Sequence, residues 1–141
     1  MHEVFTQPWV DAWADEIARS QEYRQAAASW EGPLALALTD ADGGVARAVR
    51  LDLWHGSCRD ARALAGDDIA PALDATDYVL QADLATWRRV LAGELEPIFG
   101  LMSGKLKLTR GQLPKLLPYV TASKELVAAA GRVPSRFPHD D

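Results

Sequence analysis

Cysteine is nearly absent from the sequence: Cys58 is the only one among 141 residues. That excludes an internal disulfide and any CxxC metal site. Histidine is almost as scarce, with only His2, His55 and His139, two of them close to the ends of the sequence. A zinc site needs three or four ligands, and the isolated His55-x-x-Cys58 pair supplies two. Neither a metal nor a Cys–His nucleophile is expected. No apolar run approaches the roughly 18–20 residues of a membrane span. The opening MHEVFTQPWV lacks the basic and apolar regions of a signal peptide, and the closing His139-Asp140-Asp141 is no peroxisomal address. Positive charge is also short. Fifteen Lys and Arg against twenty Asp and Glu leave a net charge of −5, which disfavours a nucleic-acid partner. These absences predict a reduced, cytoplasmic protein.

What is present is the balance of a globular chain, 48% hydrophobic and 25% charged, which folds instead of remaining disordered. The length fits one domain over residues 1–141. The charge is unevenly placed. Residues 1–100 carry a net −9 and residues 101–141 a net +4. A solvated helical face accounts for this, and so does a patch that meets an anionic head group or membrane.

The first segment, 6–30, reads as helical. Thr6 is placed to cap and Pro8 suits the first turn, while Val10, Trp13, Ala14 and Ile17 share a stripe. Ser20 begins a second turn with Tyr23 inward, and Glu31-Gly32-Pro33 breaks it. The period then becomes two. Leu34, Leu36 and Leu38 alternate with small residues, and Asp40-Ala41-Asp42-Gly43-Gly44 turns the chain. Val45, Val49, Leu51 and Leu53 form one face of the next strand, with Arg47 interrupting it. Strands are expected near 33–39, 45–54, 58–64, 77–82 and 105–109, with the acidic stretch 66–76 as a loop or short helix. Asp83 caps a helix from Leu84 to Ala92, and Gly93 stops it. A short helix starts near Pro97 and ends at Ser103-Gly104, and two amphipathic helices follow Arg110-Gly111, broken by Pro118. Residues 133–141 read as a frayed tail.

The polar motifs are unproductive. Gly100 to Lys105 matches neither a nucleophile elbow nor a phosphate loop. Asp67, Asp68, Asp74 and Asp77 have no calcium-loop spacing and read as exposed charge. No catalytic residue is assigned. The distinctive residues are apolar: Trp87, Leu91, Ile98, Phe99, Met102, Leu113, Leu116, Leu117 and Val120, around the short strand that carries Leu106 and Leu108. They form either ordinary core or the wall of an adaptable cavity.

Three runs carry a resemblance: Asp77-Tyr78-Val79-Leu80-Gln81-Ala82-Asp83-Leu84-Ala85-Thr86-Trp87, Leu91-Ala92-Gly93-Glu94-Leu95-Glu96-Pro97, and Met102-Ser103-Gly104-Lys105-Leu106-Lys107-Leu108. With Phe99, Tyr23 and the Trp30-Glu31-Gly32 turn, they resemble the sterol carrier protein family in its stand-alone prokaryotic form. The resemblance implies an α+β fold, a five-stranded mixed sheet with helices over one face, enclosing an apolar tunnel. It implies lipid binding or transfer, for a fatty acid, acyl-CoA, sterol or phospholipid, with no catalytic residue and no cofactor. The apolar set then becomes tunnel wall, and Lys105, Lys107 and Arg110 become head-group candidates. Transient membrane contact and a homodimer are the expected partners beside the lipid. The alternatives are an enzyme, or an accessory subunit of one, acting on a lipid, and a dimeric module with a solid core.

Overall fold

The computed structural model describes residues 1–138. Helices α1 (Gln7–Arg19) and α2 (Gln21–Ala26) lead into strands β2 (Glu31–Thr39), β3 (Val45–Trp54) and β4 (Ser57–Ala65), after a two-residue β1 (His2–Glu3). A 3-10 turn at Gly66–Asp68 precedes α3 (Ile69–Asp74). Then come β5 (Tyr78–Asp83), α4 (Leu84–Leu91), α5 (Pro97–Met102), β6 (Lys107–Arg110), α6 (Leu113–Leu116), a 3-10 turn at Leu117–Tyr119, α7 (Val120–Gly131) and β7 (Ser135–Arg136). The main sheet runs β4-β3-β2-β5-β6. β2 and β5 are parallel and the other neighbours antiparallel, so the sheet is mixed, as expected.

Local chemistry fixes the boundaries. Ser20 accepts the Tyr23 amide at 3.1 Å and Asp83 accepts the Thr86 amide at 2.8 Å, so each caps its helix. Gly93 closes α4 in the left-handed region at φ +80°. Thr6 behaves differently from expectation. Its hydroxyl turns back to the Glu3 carbonyl and makes no cap. Pro118 converts the helix it interrupts into a 3-10 turn without ending the chain's course into α7.

One finding corrects the sequence reading of the sheet, and a second adds to it. Thr39 pairs with Val45 while Leu38 pairs with Arg47, so β3 carries an extra residue at that end. The bulge turns Val45 to the opposite face from Val49, Leu51 and Leu53, and Arg47 takes the exposed end of the leucine face. The second finding concerns 66–76. Its acids are exposed, but Ile69, Ala72 and Leu73 cover Ala35, Ala37, Ala48 and Val79 on the back of the sheet. Thr76, fully buried behind them, accepts Arg50 Nε at 3.0 Å, and its carbonyl accepts Arg110 Nε at 2.9 Å.

The other helices lie over the leucine face. An aromatic series runs from Trp87 through Phe5 and Trp9 to Trp13, with successive ring centroids 6.1, 5.6 and 5.2 Å apart. The tail is not frayed where it is described. Ser135 and Arg136 pair with His2 and Glu3, Val133 is buried, and Trp9 Nε1 donates to Ser135 Oγ at 2.9 Å. Buried apolar contact and a parallel pairing outweigh the polar composition of this stretch. Residues 139–141, which complete that segment and include His139, lie outside the described residues.

Candidate functional site

Between the leucine face and α1, α2, α4, α5, α6 and α7 lies an apolar cavity. The sheet supplies Leu34, Leu36, Leu53 and Leu80 as its floor. Register explains this: Leu36 lies opposite Leu80 across the parallel pair, and Leu34 and Leu36 share a face with β3's leucines. The helices supply Trp13, Tyr23, Trp87, Ile98, Leu116 and Leu126 among others. Its volume is about 80 Å³. The cavity is therefore narrow.

Its polar atoms are almost all engaged. Trp13 Nε1 donates to the Leu126 carbonyl at 3.0 Å, Trp30 Nε1 to Gly32 at 2.8 Å and Trp87 Nε1 to Ala37 at 2.9 Å. The Tyr119 hydroxyl shares a hydrogen bond with Ser29 at 2.9 Å. Ser123 Oγ donates to Glu96 Oε2 at 2.9 Å. Among the described residues, the Tyr23 hydroxyl has no hydrogen-bond partner, although Tyr23 is only 2% exposed. Burial pushes its pKa far above the ordinary tyrosine range, and nearby Cys58 pushes the same way, so it stays a neutral O–H. No charged side chain lines the cavity among the described residues. Such a space takes an apolar body and leaves a charged end outside, because a desolvated, unpaired charge is costly.

A second hollow of about 280 Å³, roomier than the first, adjoins it between the α4–α5 connection and α7. It shares Val90, Leu91, Pro97 and Val127 with the cavity, and it carries Glu96 and Lys124. The Glu96–Ser123 hydrogen bond thus sits at the partition between the two. Glu96 also accepts the Ile98 amide at 2.9 Å and the Phe99 amide at 3.2 Å, so one carboxylate caps α5 and ties it to α7.

Of the apolar residues singled out in the sequence, Trp87, Leu91, Ile98 and Leu116 line the cavity. Leu106 is buried behind α5, packed so closely on Gly100 that a Cβ there would run into Leu106 Cδ1. Leu108, Leu113 and Val120 are half-buried against the core without lining the cavity. Phe99, Met102 and Leu117 are exposed. On α5 and the turn after α6 these three follow directly on inward residues, so the helical period carries them to the other side. Lys105 and Lys107 are exposed and Arg110 is engaged by Thr76, so none of the three lines the cavity. The sequence reading missed Trp13, Tyr23, Trp30, the floor leucines and the inner face of α7. Strand alternation marked the floor as apolar, but periodicity does not tell a face packed on atoms from one facing a space.

His55 and Cys58 do not converge. His55 Nε2 meets Glu31 at the exposed end of β2, and Cys58 Sγ donates to the Asp60 carbonyl at 3.3 Å. Burial, with a smaller push from Asp52 and Asp60, raises the Cys58 thiol to about 11, the reverse of an activated nucleophile. Among the described residues no three His, Cys, Asp or Glu side chains gather into a metal-holding group.

The model of the SCP-2 sterol transfer family matches residues 14–110. The chain belongs to that family. The match runs from α1 to β6, so α6 and α7, which close the cavity, lie beyond it. The chain is similar to a crystal structure of sterol carrier protein 2, at 45% identity over 93% of this chain and 99% of the other, with a TM-score of 0.81. It is equally similar to TT1886, a conserved hypothetical protein of Thermus thermophilus, at 45% identity and a TM-score of 0.82 over 96% and 93% of the two chains. The apo form of sterol carrier protein 2 from Yarrowia lipolytica shares the fold at 17% identity, with a TM-score of 0.55 over 87% and 89%. No curated protein matches the chain. The family is one of lipid binding and transfer, and a lipid is the class of ligand that membership brings.

Proposed function

We propose that the chain is a non-catalytic carrier that holds the apolar body of a lipid in the cavity and exchanges it with membranes. The carrying observation is an apolar space with its indole donors all tied to backbone carbonyls and no charge in its lining. Fatty acids, acyl-CoA, sterols and phospholipids all offer such a body. Each buried methylene contributes about 0.8 kcal/mol, so a dozen give about 10 kcal/mol before the cost of association and ordering. Trp87, Leu91, Ile98 and Leu116 form the wall, and Lys124 at the adjoining hollow meets a charged head group. A space this narrow must widen to take a chain of that length.

An enzymatic reading needs a reactive group in the lining, and His55 and Cys58 stand outside it. Trp9, Trp13 and Trp87 are at most 1% exposed, so these tryptophans belong to the core of the chain and supply no apolar face for a dimer. No helix among the described residues is long and apolar enough to cross a membrane, which fits a carrier working in the cytoplasm. A vesicle-to-vesicle transfer assay with a fluorescent fatty acid tests the proposal. Catalytic amounts of protein accelerate transfer if it holds, and an unchanged rate with no ligand uptake refutes it.

A further inference from the structure

Among the described residues, every side-chain nitrogen or oxygen sealed inside the fold has a hydrogen-bond partner. Tyr23 Oη has none, yet Tyr23 is only 2% exposed. The oxygen is therefore open, and the space that Tyr23 lines is the cavity. Phenylalanine would fill this wall without the cost of an unpaired buried hydroxyl. Tyr23 also stands at one end of the cavity. The floor runs across the sheet from Leu53 on β3, past Leu34 and Leu36 on β2, to Leu80 on β5. Leu80 is level with Leu36 and Val49, and Leu53 is four residues further along β3, so the floor spans about 16 Å. Helix α2 lies over the β3 end, where a Cβ on Gly56 would run into the Arg24 backbone. Tyr23 there feels Cys58, the register partner of Leu53. Helix α5 lies over the other end, with Gly100 packed on Leu106 at the entry to β6. The second hollow opens beside α5, and neither Tyr23 nor Leu53 borders it.

We propose that the preferred ligand is a long-chain fatty acid with a neutral oxygen, hydroxyl or keto, at the end of its chain remote from the carboxylate, and that Tyr23 Oη hydrogen-bonds this oxygen. This preference rests on the carrier reading and narrows its ligand to one chemistry. The inner end of the ligand is neutral, because no charged side chain lines the cavity among the described residues. It carries oxygen, because the phenol both donates and accepts. No other polar group of the lining competes for it. The three indole donors are held by backbone carbonyls, and the Tyr119 and Ser123 hydroxyls are held by Ser29 and Glu96. The carboxylate stays at the hollow beside α5. Lys124 is exposed there and has no ion pair among the described residues.

The test is displacement of a fluorescent fatty acid from the full chain by hexadecanoic acid, its ω-hydroxy derivative and its α-hydroxy derivative. The two hydroxy acids share one composition, but only the ω-hydroxyl is carried to the Tyr23 end. The wild type should hold the ω-hydroxy acid about fivefold more tightly than hexadecanoic acid, and the α-hydroxy acid should show no such gain. Tyr23→Phe should abolish the gain and bind hexadecanoic acid as the wild type does, which also shows that the variant is folded. Carbon NMR of tyrosine-labelled wild type needs no variant. The Tyr23 Cζ resonance should move further with the ω-hydroxy acid than with hexadecanoic acid, and this decides alone if Tyr23→Phe fails to fold. No displacement by any of the three acids overturns the carrier reading and the preference with it. Displacement by hexadecanoic acid with no gain for the ω-hydroxy acid overturns the preference and leaves the carrier. An equal gain for the α-hydroxy acid, or a gain kept in Tyr23→Phe, does the same.

Discussion

Ser123 of α7 donates a hydrogen bond to Glu96 at the start of α5, 2.9 Å apart, on the line between the cavity and the hollow beside it. Two other donors, the Ile98 and Phe99 amides, share that carboxylate. The single side chain therefore sets both the beginning of α5 and its distance from α7.

Ser123→Ala removes the tie and leaves the cap. It should cost about 1 kcal/mol in denaturant unfolding and raise ligand association and dissociation rates together, with little change in Kd. Glu96→Ala removes cap and tie and should cost about 2 kcal/mol. Stopped-flow mixing with a fluorescent fatty acid reads the rates, and urea titration reads the stabilities.

Among the described residues, no group hydrogen-bonds the Tyr23 hydroxyl. A lipid with a neutral hydroxyl or carbonyl at its buried end should hydrogen-bond to it. Displacement titrations should show the wild type binding a long-chain alcohol more tightly than the alkane of equal length. Tyr23→Phe should remove that margin, about 1 kcal/mol, and leave the alkane unaffected.

The Cys58 thiol, raised by burial to about 11 from 9.0, keeps its proton in the folded chain where the unfolded chain has lost it. The folded form binds more protons between those values, so this contribution is intact below pH 9 and lost as pH rises toward 11. Native Cys58 should resist iodoacetamide at pH 8 and react as pH approaches 11. Cys58→Ser should flatten the fall in unfolding midpoint over the same interval.

The pairing of His2–Glu3 with Ser135–Arg136 is anchored by Trp9 Nε1 on Ser135 Oγ. Ser135→Ala leaves a buried indole donor without its acceptor and should cost about 1–2 kcal/mol. Hydrogen exchange at the Val4 amide, which donates to the Arg136 carbonyl at 3.0 Å, should speed up in that variant.

The elements with strong local signals were legible. Alternating leucines marked β2, and Asp83 and Gly93 marked both ends of α4. The bulge at Val45 was not, because an inserted residue leaves composition unchanged and shows only in the pairing. Nor was β7, whose partner lies more than a hundred residues away. The site divides likewise. Trp87 and Ile98 stood out within one stretch, while Trp13, Tyr23 and Leu126 meet the cavity only through the packing of α1, α2 and α7. Phe99 and Met102 were read as wall because they share α5 with Ile98, and a helix of six residues has too short a pattern to say which stripe faces in.

The central claim is that the space over Leu36 and Leu80 receives a lipid. Ala122, buried on the inner face of α7, offers a way to fill it. Native mass spectrometry of the wild type and Ala122→Trp, each incubated with a long-chain fatty acid, is the most direct test. The account predicts one lipid per wild-type chain and none on a folded Ala122→Trp chain. No adduct on the wild type, or the same adduct on both proteins, would contradict it.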